Sequence, residues 1–154
     1  MLYISHRGNC NGLNPERENT QDYIDETIKR GYDVEIDIWG INNEYWLGHD
    51  EPEYKTTRDW MYQRKDRLWI HCKNFEALSN LVRQPSFRVF YHEKEKYTII
   101  SNGLIWAHDL SEINSKCIVP LLSKEDIFTH IKNVDSCYGI CSDYVDILRV
   151  KDKI

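Results

Sequence analysis

The stretch Gly31-Tyr32-Asp33-Val34-Glu35-Ile36-Asp37-Ile38-Trp39 alternates apolar and acidic residues. Val34, Ile36 and Ile38 fall on one side and Glu35 and Asp37 on the other, which is the period of a β-strand. On such a strand the two carboxylates stand roughly 7 Å apart along the chain. Two anions on a buried face repel and need compensation. A divalent cation supplies it, and carboxylate oxygens suit Mg²⁺ or Ca²⁺. A half-exposed strand with both acids in water satisfies the same pattern.

Upstream, Leu2-Tyr3-Ile4-Ser5-His6-Arg7-Gly8 reads as a short strand ending at Gly8, with His6 and Arg7 at its carboxyl end. Asn9 to Arg17 is rich in Asn, Gly and Pro and reads as a loop. Glu18-Asn19-Thr20 opens a helix that Asn19 or Thr20 can cap. Tyr23, Ile24, Thr27 and Ile28 form its apolar stripe, and Gly31 ends it. Strand, helix, strand predicts two parallel strands in one sheet.

Downstream, Asn42-Asn43 marks a turn, so Glu44 to Leu47 folds back as a hairpin before Gly48-His49-Asp50. A loop and a short helix from about Thr57 follow. In the strand Arg67 to Lys73, alternation puts Trp69, His71 and Lys73 on one face and Ile70 and Cys72 on the other. Phe75 to Arg83 reads as a helix burying Leu78, Leu81 and Val82. Phe87 to Tyr91 reads as a strand ending at His92. Tyr97 to Ser101, Leu104 to Ala107 and Cys117 to Leu122 are further strand candidates. Ser123 caps a helix running to about Asn133, and Tyr138 to Tyr144 is a closing strand. Repeated β-α-β units predict an α/β fold with a mostly parallel sheet. His6, Arg7, His71, Lys73, His92 and Asp143 then gather at strand carboxyl ends, the active face of a (β/α) barrel.

The chain has 154 residues, the length of one domain spanning 1–154. Its net charge of −5 argues against a partner presenting a nucleic-acid duplex. No apolar run reaches the length of a membrane span, and no basic-then-apolar leader opens the chain. Five Cys without a C-x-x-C pair point to free thiols in a reducing compartment, so a cytoplasmic location is expected. Cys137, Cys141 and His130 could form a soft-metal site, though structural thiols are the simpler reading. His108 and His130 read as structural or solvated.

His6-Arg7-Gly8, Glu18-Asn19-Thr20, Glu35-Ile36-Asp37 and His49-Asp50, in this order, resemble the glycerophosphodiester phosphodiesterase family. That family belongs to the phosphatidylinositol-phospholipase-C-like phosphodiesterases on TIM-barrel scaffolds. Lys73 looks like the family's lysine on the third strand, and Gly139 to Tyr144 looks like its closing strand. The match is clearest from Leu2 to Asp50. By this resemblance His6 and His49 are the catalytic pair, and Arg7 and Lys73 hold the substrate phosphate. Glu35 and Asp37 are ligands of one divalent metal, and Glu18 is a supporting active-site glutamate. The resemblance implies Mg²⁺ or Ca²⁺, a small phosphodiester substrate, and attack by the substrate's neighbouring hydroxyl to give a cyclic phosphate.

Two departures stand out. Where the family carries a third acidic metal ligand, two residues before the lysine, this chain has His71. Imidazole ligates Mn²⁺ or Zn²⁺ far better than Mg²⁺ or Ca²⁺. The chain is also short, because a (β/α)₈ barrel takes about 250 residues and rarely fewer than roughly 200. A contracted or incomplete (β/α) TIM-type barrel is expected, with about seven strands and three or four full helices. Three functions fit: a metal-dependent phosphodiesterase, a non-catalytic phosphate- or metal-binding module of the same kind, and an enzyme of nucleotide or sugar phosphates using the same metal site.

Overall fold

The computed structural model describes residues 1–151. The chain runs β1 (Leu2–His6), α1 (Gln21–Lys29), β2 (Asp33–Ile41), β3 (Glu44–Leu47), β4 (Tyr54–Thr56), α2 (Arg58–Gln63), β5 (Leu68–Cys72) and α3 (Phe75–Leu81). It continues through β6 (Val89–Phe90), β7 (Tyr97–Ile99), β8 (Ile105–Ala107), β9 (Cys117–Pro120), α4 (Lys124–His130), a 3-10 turn (Ile131–Asn133), β10 (Gly139–Ser142) and α5 (Val145–Lys151). The result is a mixed α/β fold around one curled sheet.

Seven strands lie parallel in the order β6-β5-β2-β1-β10-β9-β8. Strands β3 and β4 extend the sheet antiparallel from the far end of β2, and β7 pairs antiparallel with β8. The curl brings the two ends of the parallel run together. Phe90 on β6 stacks on Trp106 of β8 with ring centres 4.6 Å apart. Ser101, just before β8, exchanges hydrogen bonds with Val89 on β6: its amide donates to the Val89 carbonyl at 2.9 Å, and its hydroxyl accepts from the Val89 amide at 3.0 Å. The architecture is that of a partial barrel.

Strand alternation sorts the apolar residues into an inner and an outer layer. Inside, Ile4, Trp69, Phe90, Ile100, Trp106, Ile118 and Cys141 form a plug. Outside, Val34, Ile36, Ile38, Ile70 and Cys72 pack against Ile24 of α1 and Ala77 and Leu81 of α3. Val119 and Ile140 pack against Ile127 of α4 and Leu148 of α5. Each fully buried aliphatic side chain contributes about 1.5–3 kcal/mol. Helix α3 lies so close to β2 that a Cβ on Gly40 would sit 2.7 Å from the Ala77 amide nitrogen. Asn74 seals that contact, since it caps α3 and bonds both the amide and the carbonyl of Gly40.

Thr20 caps α1 and Ser123 caps α4 as expected, Thr57 caps α2, and the capping-box partner of Ser123 is Asp126. The β2–β3 hairpin turns on Asn42 and Asn43, both at positive φ, as a two-residue turn matched to strand twist requires. Several expectations are corrected. Strand β6 is only two residues long, α3 stops at Leu81, and Val82 is exposed. The α4 region ends its α-helix at His130 and tightens into the 3-10 turn. The described residues form five α-helices, counting α5, which follows the last strand and was not foreseen. Among the described residues no helix is long and apolar enough to cross a membrane.

Candidate functional site

Five of the seven parallel strands carry their inward face one step beyond the apolar plug. Ile4 is followed two residues later by His6, Trp69 by His71, Phe90 by His92, Trp106 by His108, and Cys141 by Asp143. At this level a cavity of about 160 Å³ opens. His6, Arg7, Glu35, His49 and His71 share its wall, above the rings of Phe90 and Trp106. His92 and His108 also line it, their rings stacked 3.9 Å apart. His108, expected to be structural or solvated, is therefore a wall of the cavity.

Ladder register assembles the centre. In β1–β2, His6 lies opposite Glu35, and in β2–β5, Asp37 lies opposite His71. Neighbours in register on one face share a height, so these four side chains converge. Glu35 is 2% exposed and Asp37 is fully buried. His71 Nδ1 lies 3.2 Å from Asp37 Oδ1 and 3.8 Å from Glu35 Oε1. Glu35 Oε2 faces His6 Nε2 at 3.8 Å. Both Glu35 Oε2 and Asp37 Oδ1 are buried without a hydrogen-bond partner.

Burial, and next to it the charge of Asp37, push the Glu35 carboxyl above the usual range. Asp37 behaves oppositely. Burial works against its charge, but His71 and the Arg7 guanidinium hold it below the usual carboxylate range. Arg7 Nε lies 3.1 Å from Asp37 Oδ2, Asn19 Nδ2 donates to the same oxygen at 2.9 Å, and Lys73 Nζ stands 3.9 Å from Oδ1. Asn19 also accepts from the Asp37 amide at 3.0 Å.

Arg7 is held in the left-handed region, with φ 56°. Its amide donates to the Glu35 carbonyl and its carbonyl accepts from the Asn19 amide. Backbone conformations of this kind cost about 1–3 kcal/mol and persist where the surroundings over-determine them. Glu18 accepts from Arg7 Nη1 at 3.2 Å and from Asn9 Nδ2 at 2.9 Å. It thus braces the guanidinium from outside the acidic pair. Asn9 also donates to Asp143 Oδ1 at 2.7 Å, and that oxygen accepts from His6 Nδ1 at 2.9 Å. Burial lowers the His6 pKa, but the Asp143 hydrogen bond and the Glu35 charge outweigh it, so the imidazole titrates above its ordinary value.

His49 stands at the rim, with a side chain 42% exposed and Nδ1 2.7 Å from Asp50 Oδ1. Its loop is tied to β2: the Gly48 amide donates to the Asp37 carbonyl, and the Trp39 indole donates to the Gly48 carbonyl at 2.7 Å. Gly48 has φ 150°, and a Cβ there would sit 2.0 Å from the Glu51 carbonyl oxygen.

The residues fit a divalent ion. Ligand atoms of Glu35, Asp37 and His71 all lie within 4.8 Å of one another. Two donors each about 2.1 Å from one ion are about 3.0–3.4 Å apart at octahedral or tetrahedral angles. The observed 3.2 and 3.8 Å need little closing. The two unpartnered carboxylate oxygens are what a cation would satisfy. Cys137 and Cys141 instead lie in different apolar clusters, as structural thiols do.

Asn9 and Asn19 are the residues that sequence reasoning missed, and Asp143, which it placed at the active face as a spare metal ligand, instead bonds His6. Asn19 stood out as a cap candidate and as part of Glu18-Asn19-Thr20, but the cap is Thr20 and Asn19, at φ 60°, supports Asp37. Comparison with protein-family models, with curated proteins and with solved structures finds no match to this chain.

Proposed function

We propose that the chain is a metal-dependent phosphodiesterase on a contracted, incomplete TIM-type barrel, acting on a small glycerophosphodiester-like substrate. One observation carries this reading. His6, His49 and Arg7 share a small cavity with buried Glu35, and Glu35 and its strand neighbour Asp37 each keep one buried oxygen without a hydrogen-bond partner. A divalent ion held by Glu35, Asp37 and His71 would neutralise charge on the phosphate oxygens.

The chain's own residues do the rest. His6 Nδ1–H donates to Asp143, which leaves Nε2 facing the cavity to take or give a proton. His49 at the rim is the second proton carrier in this reading, its Nδ1 bonded to Asp50. Arg7 offers its guanidinium to the phosphate while Glu18 and Asp37 fix its plane. Lys73 adds a second positive charge beside Asp37. Between them the two imidazoles deprotonate the attacking hydroxyl of the substrate and protonate the leaving alkoxide, giving a cyclic phosphate that water then opens.

A non-catalytic phosphate- or metal-binding module is the alternative. It draws on the exposure of His49, whose imidazole bonds to Asp50 rather than to the buried network. Incubation with bis(p-nitrophenyl) phosphate and glycerophosphodiesters, across Mg²⁺, Ca²⁺, Mn²⁺ and Zn²⁺, separates the two. Turnover lost in His6→Ala and in His49→Ala supports the phosphodiesterase, and metal binding without turnover under every ion supports the module.

A further inference from the structure

The proposed function needs a divalent ion but leaves its chemistry open. We propose that this centre selects a borderline transition ion of the Mn²⁺-to-Zn²⁺ series over Mg²⁺ and Ca²⁺. His71 Nδ1 is the discriminating ligand, and the main-chain carbonyl of His92 is the group that aims it. The inference rests on reading Glu35, Asp37 and His71 as a cation site, and it does not depend on turnover.

The steps follow from donor and acceptor counting. His71 Nε2 lies 3.2 Å from the His92 carbonyl oxygen. A carbonyl only accepts, so Nε2 carries the proton. In a neutral imidazole the lone pair is then on Nδ1. That nitrogen faces Asp37 Oδ1 at 3.2 Å and Glu35 Oε1 at 3.8 Å. The ring cannot swing away, because it stacks on Phe90 with planes 7° apart. Three lone pairs therefore point at one small volume.

A doubly protonated imidazole would offer another answer, with Nδ1–H donating to Asp37. That Nδ1–H would face Asp37 Oδ1 at 3.2 Å, and a cation arriving at the site takes the place of the proton, since metal ligands bind deprotonated. With or without that proton, the same nitrogen and the same two carboxylates surround the site. Metal-bound histidines commonly give their other N–H to a backbone carbonyl, which is the arrangement seen here. Hard Mg²⁺ and Ca²⁺ prefer all-oxygen sites, whereas Mn²⁺, Fe²⁺, Co²⁺ and Zn²⁺ accept imidazole. One nitrogen among two carboxylates thus shifts the preference toward the second group.

The test is calorimetric titration of chelator-stripped full-length protein with Mg²⁺, Ca²⁺, Mn²⁺ and Zn²⁺, beside native and His71→Glu variants. Native protein should bind one Mn²⁺ or Zn²⁺ at least about tenfold tighter than Mg²⁺ or Ca²⁺. His71→Glu, which restores an oxygen donor, should lose that preference while keeping a native circular dichroism spectrum. Spin-echo spectra of bound Mn²⁺ should show ¹⁴N coupling that His71→Glu removes, and Glu35→Gln should weaken every ion. Equal or tighter Mg²⁺ or Ca²⁺ binding by native protein overturns the inference, as does ¹⁴N coupling that survives His71→Glu. Failure to bind any ion overturns both the selectivity and the cation reading. Selective Zn²⁺ or Mn²⁺ binding without hydrolysis upholds the selectivity and overturns only the phosphodiesterase.

Discussion

His6 Nδ1 lies 2.9 Å from Asp143 Oδ1, across 137 positions of sequence. The contact exists because β1 and β10 are parallel neighbours, with Ser5 opposite Ser142, so the residues that follow this pair, His6 and Asp143, face each other. It fixes the imidazole tautomer, because a carboxylate accepts and the proton must lie on Nδ1. Asn9 Nδ2, bonded to the same oxygen, keeps the carboxylate from rotating away. The free Nε2 is then presented to the cavity beside Glu35.

This pair predicts a titration. Burial pulls the His6 pKa down, but the Asp143 bond and the Glu35 charge carry it above 6.5 in the folded protein. A raised folded pKa means that the folded state binds the proton more tightly. The resulting stabilisation is full below 6.5 and is lost as pH rises through the folded value. Proton NMR of the His6 ring in metal-free protein should show a midpoint above 6.5, and Asp143→Asn should lower it. Unchanged midpoints in the variant would remove Asp143 from its positioning role. Turnover of the same variant should fall by about 10²-fold or more.

Asn19 supports Asp37 twice, through the backbone amide and through the carboxylate. Asn19→Ala leaves a buried N–H without a partner, which costs about 1–3 kcal/mol. The substituted residue must also hold φ 60°, which Ala tolerates less well than Asn. Urea unfolding should show a loss at the upper end of that range. A change below about 0.5 kcal/mol would mean that the Asn19 bonds are not made in solution.

Much of this organisation was legible in the amino-acid order. The alternation around Glu35 and Asp37 correctly divides β2 into an acidic inner face and an apolar outer face. Trp69 and His71 were likewise placed on the inner face of β5, and the Asn42-Asn43 turn is where it was expected. The partners of these residues were less legible. Asp143 reaches His6 only through sheet order, and sheet order is a non-local outcome that no local pattern encodes. His108 lay hidden because β8 is three residues long, too short for alternation to show its inward face. Strand β6 and helix α3 ended early for a similar reason, since end positions depend on packing more than on propensity. Asn19 misled because a capping signal and a support role use the same side chain.

Gly48 tests whether loop geometry matters for His49. Alanine there would force a Cβ to within 2.0 Å of the Glu51 carbonyl oxygen. The backbone must shift, and His49 shifts with it. Because the clash lies in a rim loop, β2 and the acidic pair should survive. Gly48→Ala should keep its circular dichroism spectrum and metal affinity while losing about tenfold or more in turnover, as small displacements of a catalytic group do. Full turnover in this variant would show that His49 need not be held where it stands.

The most direct measurement follows a glycerophosphodiester by ³¹P NMR in the presence of native protein and Mn²⁺ or Zn²⁺. The diester resonance should give way to a cyclic phosphate and then to a monoester. The rate should fall by about 10²-fold or more in His6→Ala and in His49→Ala. A diester that persists while the ion is demonstrably bound, or rates that are equal in all three proteins, would contradict the proposed phosphodiesterase.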